Sequence, residues 1–150
     1  MTKYVDSSSA YQRQIERMIF SEIQKSLGSD LISNAQVPVN SANGIYIKPD
    51  FYSEKRRIIG EIHTHAGRLK GGQPKKIAGD ILKMLLHDKA NQCEYTKYIV
   101  VCDQEEYDQL TVNNMLAETI RQFDIHVLLI PLDEKTNEML REVMKKQSFL

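Results

Sequence analysis

The chain has 150 residues and a formal net charge of zero, with 20 basic side chains against 20 acidic ones. Its composition, 41% hydrophobic and 27% charged residues, is typical of one globular domain with an ordinary core and excludes a polycation. We find no apolar run long enough to span a bilayer, no signal peptide and no CxxC pair between the two cysteines, so we expect a cytoplasmic protein.

The first half of the chain predicts one helix and a hairpin of strands. Residues 1–9 are polar and are expected to be flexible, and apolar residues at helical spacing then predict a helix over residues 10–27, ended by Gly28. A loop with a short strand at residues 35–39 follows. Residues 45–50 and 57–65 predict two further strands, which we expect to pair as an antiparallel hairpin.

The second half predicts alternating helices and strands. Pro74 suits the first turn of a helix over residues 73–88. Residues 97–102 and 125–130 are continuous apolar runs, typical of buried parallel strands, and a helix over residues 105–122 connects them. Asp133 is expected to cap a last helix. The sequence therefore predicts one α/β domain over residues 1–150, with a central mixed sheet of hairpin and parallel crossover strands flanked by helices.

An acid and a histidine share one face of the strand at residues 57–65. Side chains alternate along a strand, so Glu61 and His63 point to the same side. The expected hairpin brings Asp50 close to Glu61. Glu16 and Glu22 both lie at the margin of the apolar stripe of the first helix, so either could supply a third acid. Two or three carboxylates placed together can bind Mg²⁺ or Mn²⁺ through oxygen ligands.

Positive charge is concentrated around this strand. Residues 55–83 hold eight basic side chains against two acidic ones. Such a patch either is an ordinary solvated surface or binds a polyanion. In the second reading Arg68, Lys70 and Lys83 contact nucleic acid. One stripe of the helix over residues 73–88 is either an ordinary solvent-exposed face or faces the acids; it holds Gln73, Lys76, Asp80, Lys83 and His87.

The order of these motifs resembles that of the PD-(D/E)xK nuclease superfamily, which has a restriction-endonuclease-like fold. The matching residues are Pro49-Asp50, Glu61-Ile62-His63 and Gln73, and the helix segment 16–23 is similar to the acid-bearing first helix of Holliday-junction resolvases. The resemblance implies metal-dependent hydrolysis of nucleic acid, with DNA as the expected substrate and Mg²⁺ or Mn²⁺ as the cofactor. It implies Asp50, Glu61 and Glu16 as metal ligands. Cutting a duplex needs two sites, which would require a homodimer.

The chain departs from that pattern at His63, where the family has lysine. A histidine changes charge within the physiological pH range, so it cannot replace a permanent cation. We expect Lys76 to supply that cation, with Lys70 as the second choice, and Gln73 and His63 to complete the catalytic residues.

Two other readings stay open. His63 and His65 form a His-x-His pair similar to that of JAMM metallopeptidases, which would make the protein a zinc hydrolase. The chain could also be a non-enzymatic module that binds nucleic acid or protein. The sequence does not distinguish DNA from RNA, nor duplex from branched or single-stranded substrates.

Overall fold

The elements of the chain are taken from a computed structural model, which describes the backbone of residues 2–148 and the side chains of residues 10–145. The helices are α1 (Thr2–Leu27), α2 (Gln73–Asn91), α3 (Gln104–Thr111), α4 (Met115–Gln122) and α5 (Glu134–Ser148). The strands are β1 (Val37–Asn40), β2 (Ile45–Ile47), β3 (Phe51–Ser53), β4 (Ile58–His63), β5 (Thr96–Val101) and β6 (Ile125–Leu129). Among the described residues, no helix combines the length and the apolar character needed to cross a membrane.

A four-stranded mixed sheet in the order β3-β4-β5-β6 forms the centre of the domain. β4, β5 and β6 are parallel, and β3 is antiparallel to β4 at the sheet edge. The parallel neighbours β5 and β6 confirm the predicted crossover, and the α/β class with a mixed sheet is also confirmed. Parallel strands need helices on both faces to bury their apolar side chains, and this sheet has them.

Two apolar clusters, one on each face, hold the helices to the sheet. Ile58 of β4 belongs to the cluster under α1 and α5, whereas Ile59 belongs to the cluster under α2, α3 and α4. Adjacent residues of β4 therefore point to opposite faces, as the alternation predicted. Glu61 and His63 consequently share the face of Ile59, toward α2 and α3.

The prediction that the strand at residues 45–50 pairs with β4 is wrong. β2 pairs with β1 in a separate two-stranded sheet, and β4 pairs instead with the short strand β3. Pro49 has no N–H group to donate, which ends β2 before it can extend toward β4. Gly60 makes the new pairing possible, because a Cβ there would lie 2.0 Å from Cζ of the buried Phe51 ring. Phe51 is paired with Gly60, and the same register places Asp50 opposite Glu61.

Helix boundaries account for the remaining differences. The single helix predicted over residues 105–122 is two helices, because Asn114 caps α4 by accepting a hydrogen bond from the Ala117 N–H at 2.8 Å. Met115 and Phe123, two apolar residues of this segment, are exposed. α1 begins at Thr2 rather than near residue 10, and Met1 lies outside the described residues. Asp133 caps α5 as predicted, through the N–H of Thr136.

Candidate metal centre

Asp50 and Glu61 form a pair of carboxyl groups where β3 begins against β4. Asp50 Oδ2 accepts a hydrogen bond from the Ile62 N–H at 2.7 Å, which fixes the side chain across the strand pair. Burial, the negative charge of Asp50 and a hydrogen bond between the two carboxyl groups raise the pKa of Glu61 to about 9. The proximity of these two acids was therefore predicted from the sequence, although Asp50 is presented by a different strand from the predicted one.

Two further acids extend this pair into a cluster, the acid cluster of Glu16, Asp50, Glu61 and Asp80. Burial first, and then the charge of Asp50, raise the pKa of Glu16, whose Oε1 accepts a 3.4 Å hydrogen bond from Thr64 Oγ1. Burial also raises the pKa of Asp80, which in turn raises that of Glu61. Asp80 was predicted to face the acids but was not included among the metal ligands.

Glu22, the other candidate on the first helix, does not reach this cluster. Its side chain is exposed and forms an ion pair with Lys25 at 3.1 Å. On the amphipathic pattern alone the two acids of α1 were equivalent. The structure separates them because only Glu16 belongs to the acid cluster.

The donor set of the acid cluster fits a hard divalent ion. Mg²⁺ and Mn²⁺ prefer carboxylate oxygens, and Mg²⁺ usually takes only one or two carboxylates and retains several waters. Among the described residues, Glu16, Asp50 and Glu61 do not form a group whose ligand oxygens all lie within 4.8 Å of one another. The hydrogen-bonded pair of Asp50 and Glu61 is therefore the natural centre of a site, with Glu16 at its margin.

Two lysines of α2 border the acid cluster. The positive charge of Lys76 partly offsets the rise in the pKa of Glu16 and of Asp80. Lys83, predicted as a nucleic-acid contact, has its Nζ 3.9 Å from Asp80 Oδ1 and partly offsets the rise in the pKa of Glu61. Both lysines are exposed, so each combines access to solvent with proximity to the acids.

The basic loop before α2, residues 66–72, is anchored to the rest of the domain by hydrogen bonds and by burial of Leu69. Leu69 is buried, and its N–H donates to Gln109 Oε1 at 2.6 Å. Gln73 Oε1 accepts the Lys70 N–H at 3.0 Å, so its amide shapes the start of the helix. The exposed side chains of Arg68 and Lys70 are thus presented from a loop with a defined backbone.

Two neighbouring clefts meet at Glu16 and Asp50, the two members of the acid cluster that line both of them. One, of about 440 Å³, is lined by residues that include Asp50, His63, Gln73 and Lys76. The other, of about 380 Å³, is lined by residues that include Arg13, Arg17 and Asp50. The two arginines were not predicted, although they flank Glu16 on the same exposed side of the helix. Together the clefts place basic side chains on both sides of the acids.

A buried glutamate that the sequence analysis missed holds both histidines of the His-x-His motif. Glu106 is fully buried, and its two carboxylate oxygens each lie 3.0 Å from a ring nitrogen, Oε2 from His63 Nδ1 and Oε1 from His65 Nδ1. In the sequence Glu106 looks like a surface acid in the first turn of a helix, where negative charge is favourable. Only the packing of α3 against the end of β4 reveals its partners.

A second polar cluster, the cluster of His87, Asp88 and Cys93, lies at the other end of α2. Potential ligand atoms of these residues all lie within 4.8 Å of one another. His87 was predicted on the polar stripe but is buried, with its Nδ1 3.0 Å from Asp88 Oδ1. Asp88 forms a buried ion pair with Lys97 and accepts the Tyr95 N–H at 3.0 Å. Its charge is already neutralised within the protein.

Comparisons with protein-family models, with curated proteins and with solved structures found no match to the chain. The function is therefore argued from the residues of the site.

Proposed function

We propose that the protein is a metal-dependent nuclease that hydrolyses phosphodiester bonds in DNA. The carboxyl pair of Asp50 and Glu61 is the observation that carries this proposal, because Asp50 lines both clefts and its carboxyl group is hydrogen-bonded to that of Glu61. Burial and the charge of Asp50 raise the pKa of Glu61, so a cation is needed for both carboxyl groups to ionise together. A divalent ion meets that need.

In this proposal, different residues would bind the ion and stabilise the phosphate. Asp50 and Glu61 would hold Mg²⁺ or Mn²⁺, with Glu16 within reach through water. Such an ion supplies Lewis-acid chemistry, polarising a phosphate oxygen and lowering the pKa of water. Lys76, on the rim of the cleft that contains Asp50, is positioned to offset charge that builds up on the phosphate.

The surrounding cations suit a phosphate backbone. Arg68 and Lys70 are exposed on the anchored loop, and Arg13 and Arg17 line the neighbouring cleft. Contacts of this kind bind nucleic acid through its phosphates without reading sequence. We assign these side chains to binding and the acid cluster to cleavage.

The zinc-hydrolase alternative has less support. His63 and His65 both direct Nδ1 to Glu106. In the described part of the chain, neither histidine belongs to a three-residue group with ligand atoms within 4.8 Å. A structural or catalytic zinc site needs at least three protein ligands on one ion.

The test is cleavage of plasmid, single-stranded and branched DNA in Mg²⁺ or Mn²⁺ by the parent protein and by Asp50→Asn and Glu61→Gln. We expect each substitution to reduce cleavage by about 10²–10³-fold or more, because it removes a ligand of the ion. Glu22→Gln is the matched control, since its carboxylate lies away from the acid cluster, and it should cleave as the parent does. DNA binding without metal-dependent cleavage by the parent protein would instead support the non-enzymatic alternative.

A further inference from the structure

One stripe of helix α1 lines the cleft of about 380 Å³ beside the carboxyl pair. Arg13, Glu16, Arg17 and Phe20 recur at helical spacing, so their side chains lie along one side of the helix. Phe20 distinguishes this cleft, because the residues that line the neighbouring cleft of about 440 Å³ include no phenylalanine or tyrosine. Of the two clefts that meet at Glu16 and Asp50, only this one therefore offers a benzene ring to a ligand.

The walls of this cleft are held in place by the fold. Phe20 is half-buried and packs against the apolar cluster under α1 and α5, which limits the movement of its ring. A second wall is formed by Ser33 and Asn34. These residues follow Ile32, which exchanges two backbone hydrogen bonds of 3.0 Å with Tyr52 of β3. The cleft is therefore preformed, as small-molecule sites usually are.

The polar groups of the cleft suit a nucleobase and the phosphates beside it. Asn34 is exposed, and its left-handed backbone, with a φ of 60°, is a conformation that asparagine adopts more readily than most residues. Its side-chain amide both donates and accepts hydrogen bonds, as the edges of bases do. Arg13 and Arg17 are exposed and supply positive charge for the phosphates on either side of the base.

The position of the cleft relates such a base to the bond that is cleaved. Asp50 lines the cleft, and its carboxyl group belongs to the pair proposed to hold the metal ion. A base in this cleft would therefore belong to a nucleotide next to the phosphate under attack. Bases inside a duplex are paired and stacked on their neighbours, so a base that enters the cleft must be unpaired or extruded.

We propose that this cleft binds one unpaired base, stacked on Phe20, of the DNA strand that is cleaved at the carboxyl pair. The inference rests on the proposed function and names its substrate class, which is DNA that is single-stranded, or branched with unpaired nucleotides, at the point of cleavage. Every base has an aromatic face, so stacking of this kind tolerates any sequence. A fully paired duplex is bound through its phosphates and does not use the ring.

The test is fluorescence anisotropy of two dye-labelled DNAs, a short single strand and the fully paired duplex of the same sequence, titrated with the whole chain in EDTA and again in Ca²⁺. We expect Phe20→Leu to weaken binding of the single strand by about 5–150-fold, the usual loss for one stacked base, and to leave duplex binding unchanged. Phe20→Tyr keeps the ring and should bind both DNAs as the parent does. Phe123→Leu is the matched control, because it removes an exposed phenylalanine that lines neither cleft.

A second variant tests the cleft without changing a side chain that packs against the core. Asn34→Gly accommodates the left-handed backbone and removes the amide, so it should weaken binding of the single strand by about 2–10-fold, as the loss of one hydrogen bond does. Thermal denaturation shows whether each variant is folded. If Phe20→Leu does not fold, the comparison of the parent with Asn34→Gly still decides whether the cleft contacts the strand.

The outcomes separate this inference from the proposed function. Single-strand binding that is unchanged in Phe20→Leu, or that is lost equally in folded Phe20→Leu and Phe20→Tyr, overturns the base site even if DNA is cleaved. A parent protein that binds no single strand in either condition also overturns it. Binding that depends on Phe20 in a protein that cleaves no DNA supports the base site and removes the nuclease. Tighter, Phe20-dependent binding of an RNA of the same sequence supports the base site and moves the proposed substrate from DNA to RNA.

Discussion

Acidic side chains in the two halves of helix α2 differ in how their charge is balanced by their neighbours. At its C-terminal end, the carboxylate of Asp88 is neutralised by Lys97 and also bonded by the Tyr95 N–H and by His87. At its N-terminal half, Asp80 belongs to a cluster in which burial and neighbouring acids raise pKa values, up to about 9 for Glu61. The charge of Asp88 is therefore balanced within the fold, whereas the acid cluster lacks enough neighbouring positive charge to balance its carboxyl groups.

On the proposed function, this difference separates a structural polar cluster from a metal-binding one. The compactness of the His87, Asp88 and Cys93 cluster alone would favour it as the metal site. Its charge balance argues against that, because an incoming cation would have to compete with the buried Lys97 ammonium. The acid cluster has the reverse balance, since a cation would relieve its repulsion. We therefore propose the metal site from charge balance rather than from the distances between ligand atoms.

The largest expected effect is on stability at the structural end of α2. Lys97→Met leaves the buried carboxylate of Asp88 without a cation, which typically costs about 3–5 kcal/mol of unfolding free energy. For a chain of this size we expect a fall in melting temperature on the order of 10 °C, measured by thermal denaturation. DNA cleavage below that temperature should be unchanged.

The double variant Asp88→Asn/Lys97→Met is the control for this prediction, because it removes both charges of the pair. It should recover part of the lost stability. At the other end of the helix, Glu61→Gln should leave the melting temperature of the metal-free protein unchanged or raise it. A Lys97→Met protein as stable as the parent would refute the claim that Lys97 neutralises Asp88.

The next effect concerns the cation that borders the acid cluster. Lys76→Ala should reduce single-turnover cleavage in Mg²⁺ by about 10²–10³-fold, the typical loss of one preorganised stabiliser of transition-state charge. His63→Ala should reduce it less, because a histidine is not a permanent cation at neutral pH. Lys75→Ala, the exposed neighbouring lysine, is the control and should keep its activity. The reverse order, with an active Lys76→Ala and an inactive His63→Ala, would show that the cation is wrongly assigned.

The last effect is a pH dependence of the metal-free protein. The pKa of Glu61 is about 9 in the folded state against an ordinary value of 4.5, so the folded state favours its neutral form. That contribution to stability is complete below about pH 4.5 and is lost as the pH rises toward 9. The melting temperature of the metal-free parent should therefore fall over this range relative to that of Glu61→Gln, by about 2–4 °C for each kcal/mol lost.

Added Mn²⁺ should remove this decline in the parent and have little effect on Glu61→Gln. Parallel pH profiles for the two metal-free proteins would mean that Glu61 is not held neutral by its neighbours.

The sequence predicted those parts of the fold that depend on long apolar patterns. Alternation along β4 assigned Glu61 and His63 to one face, and the apolar runs of β5 and β6 indicated their parallel pairing. β3 is only three residues long, too short for an alternation signal, so β2 was taken as the partner of β4. The proximity of Asp50 and Glu61 was still predicted, because the chain between them is short and brings them together whichever short strand pairs with β4.

Parts of the site that depend on packing could not be predicted. Glu106 lies 43 residues after His63 in the sequence and has no local pattern that marks it as buried. His87 shares the spacing of the polar stripe on α2, but its ring is packed edge-on against Tyr95 at 4.6 Å between centroids. In both cases the decisive neighbours come from another element of the fold.

The most direct test of the central claim is a crystal of the protein soaked in Mn²⁺ and measured at a wavelength where manganese scatters anomalously. We predict one anomalous peak between the carboxylates of Asp50 and Glu61, at about 2.0–2.6 Å from their oxygens, and none at the cluster of His87, Asp88 and Cys93. A peak only at the latter cluster, or none at the acid cluster at saturating Mn²⁺, would contradict the account.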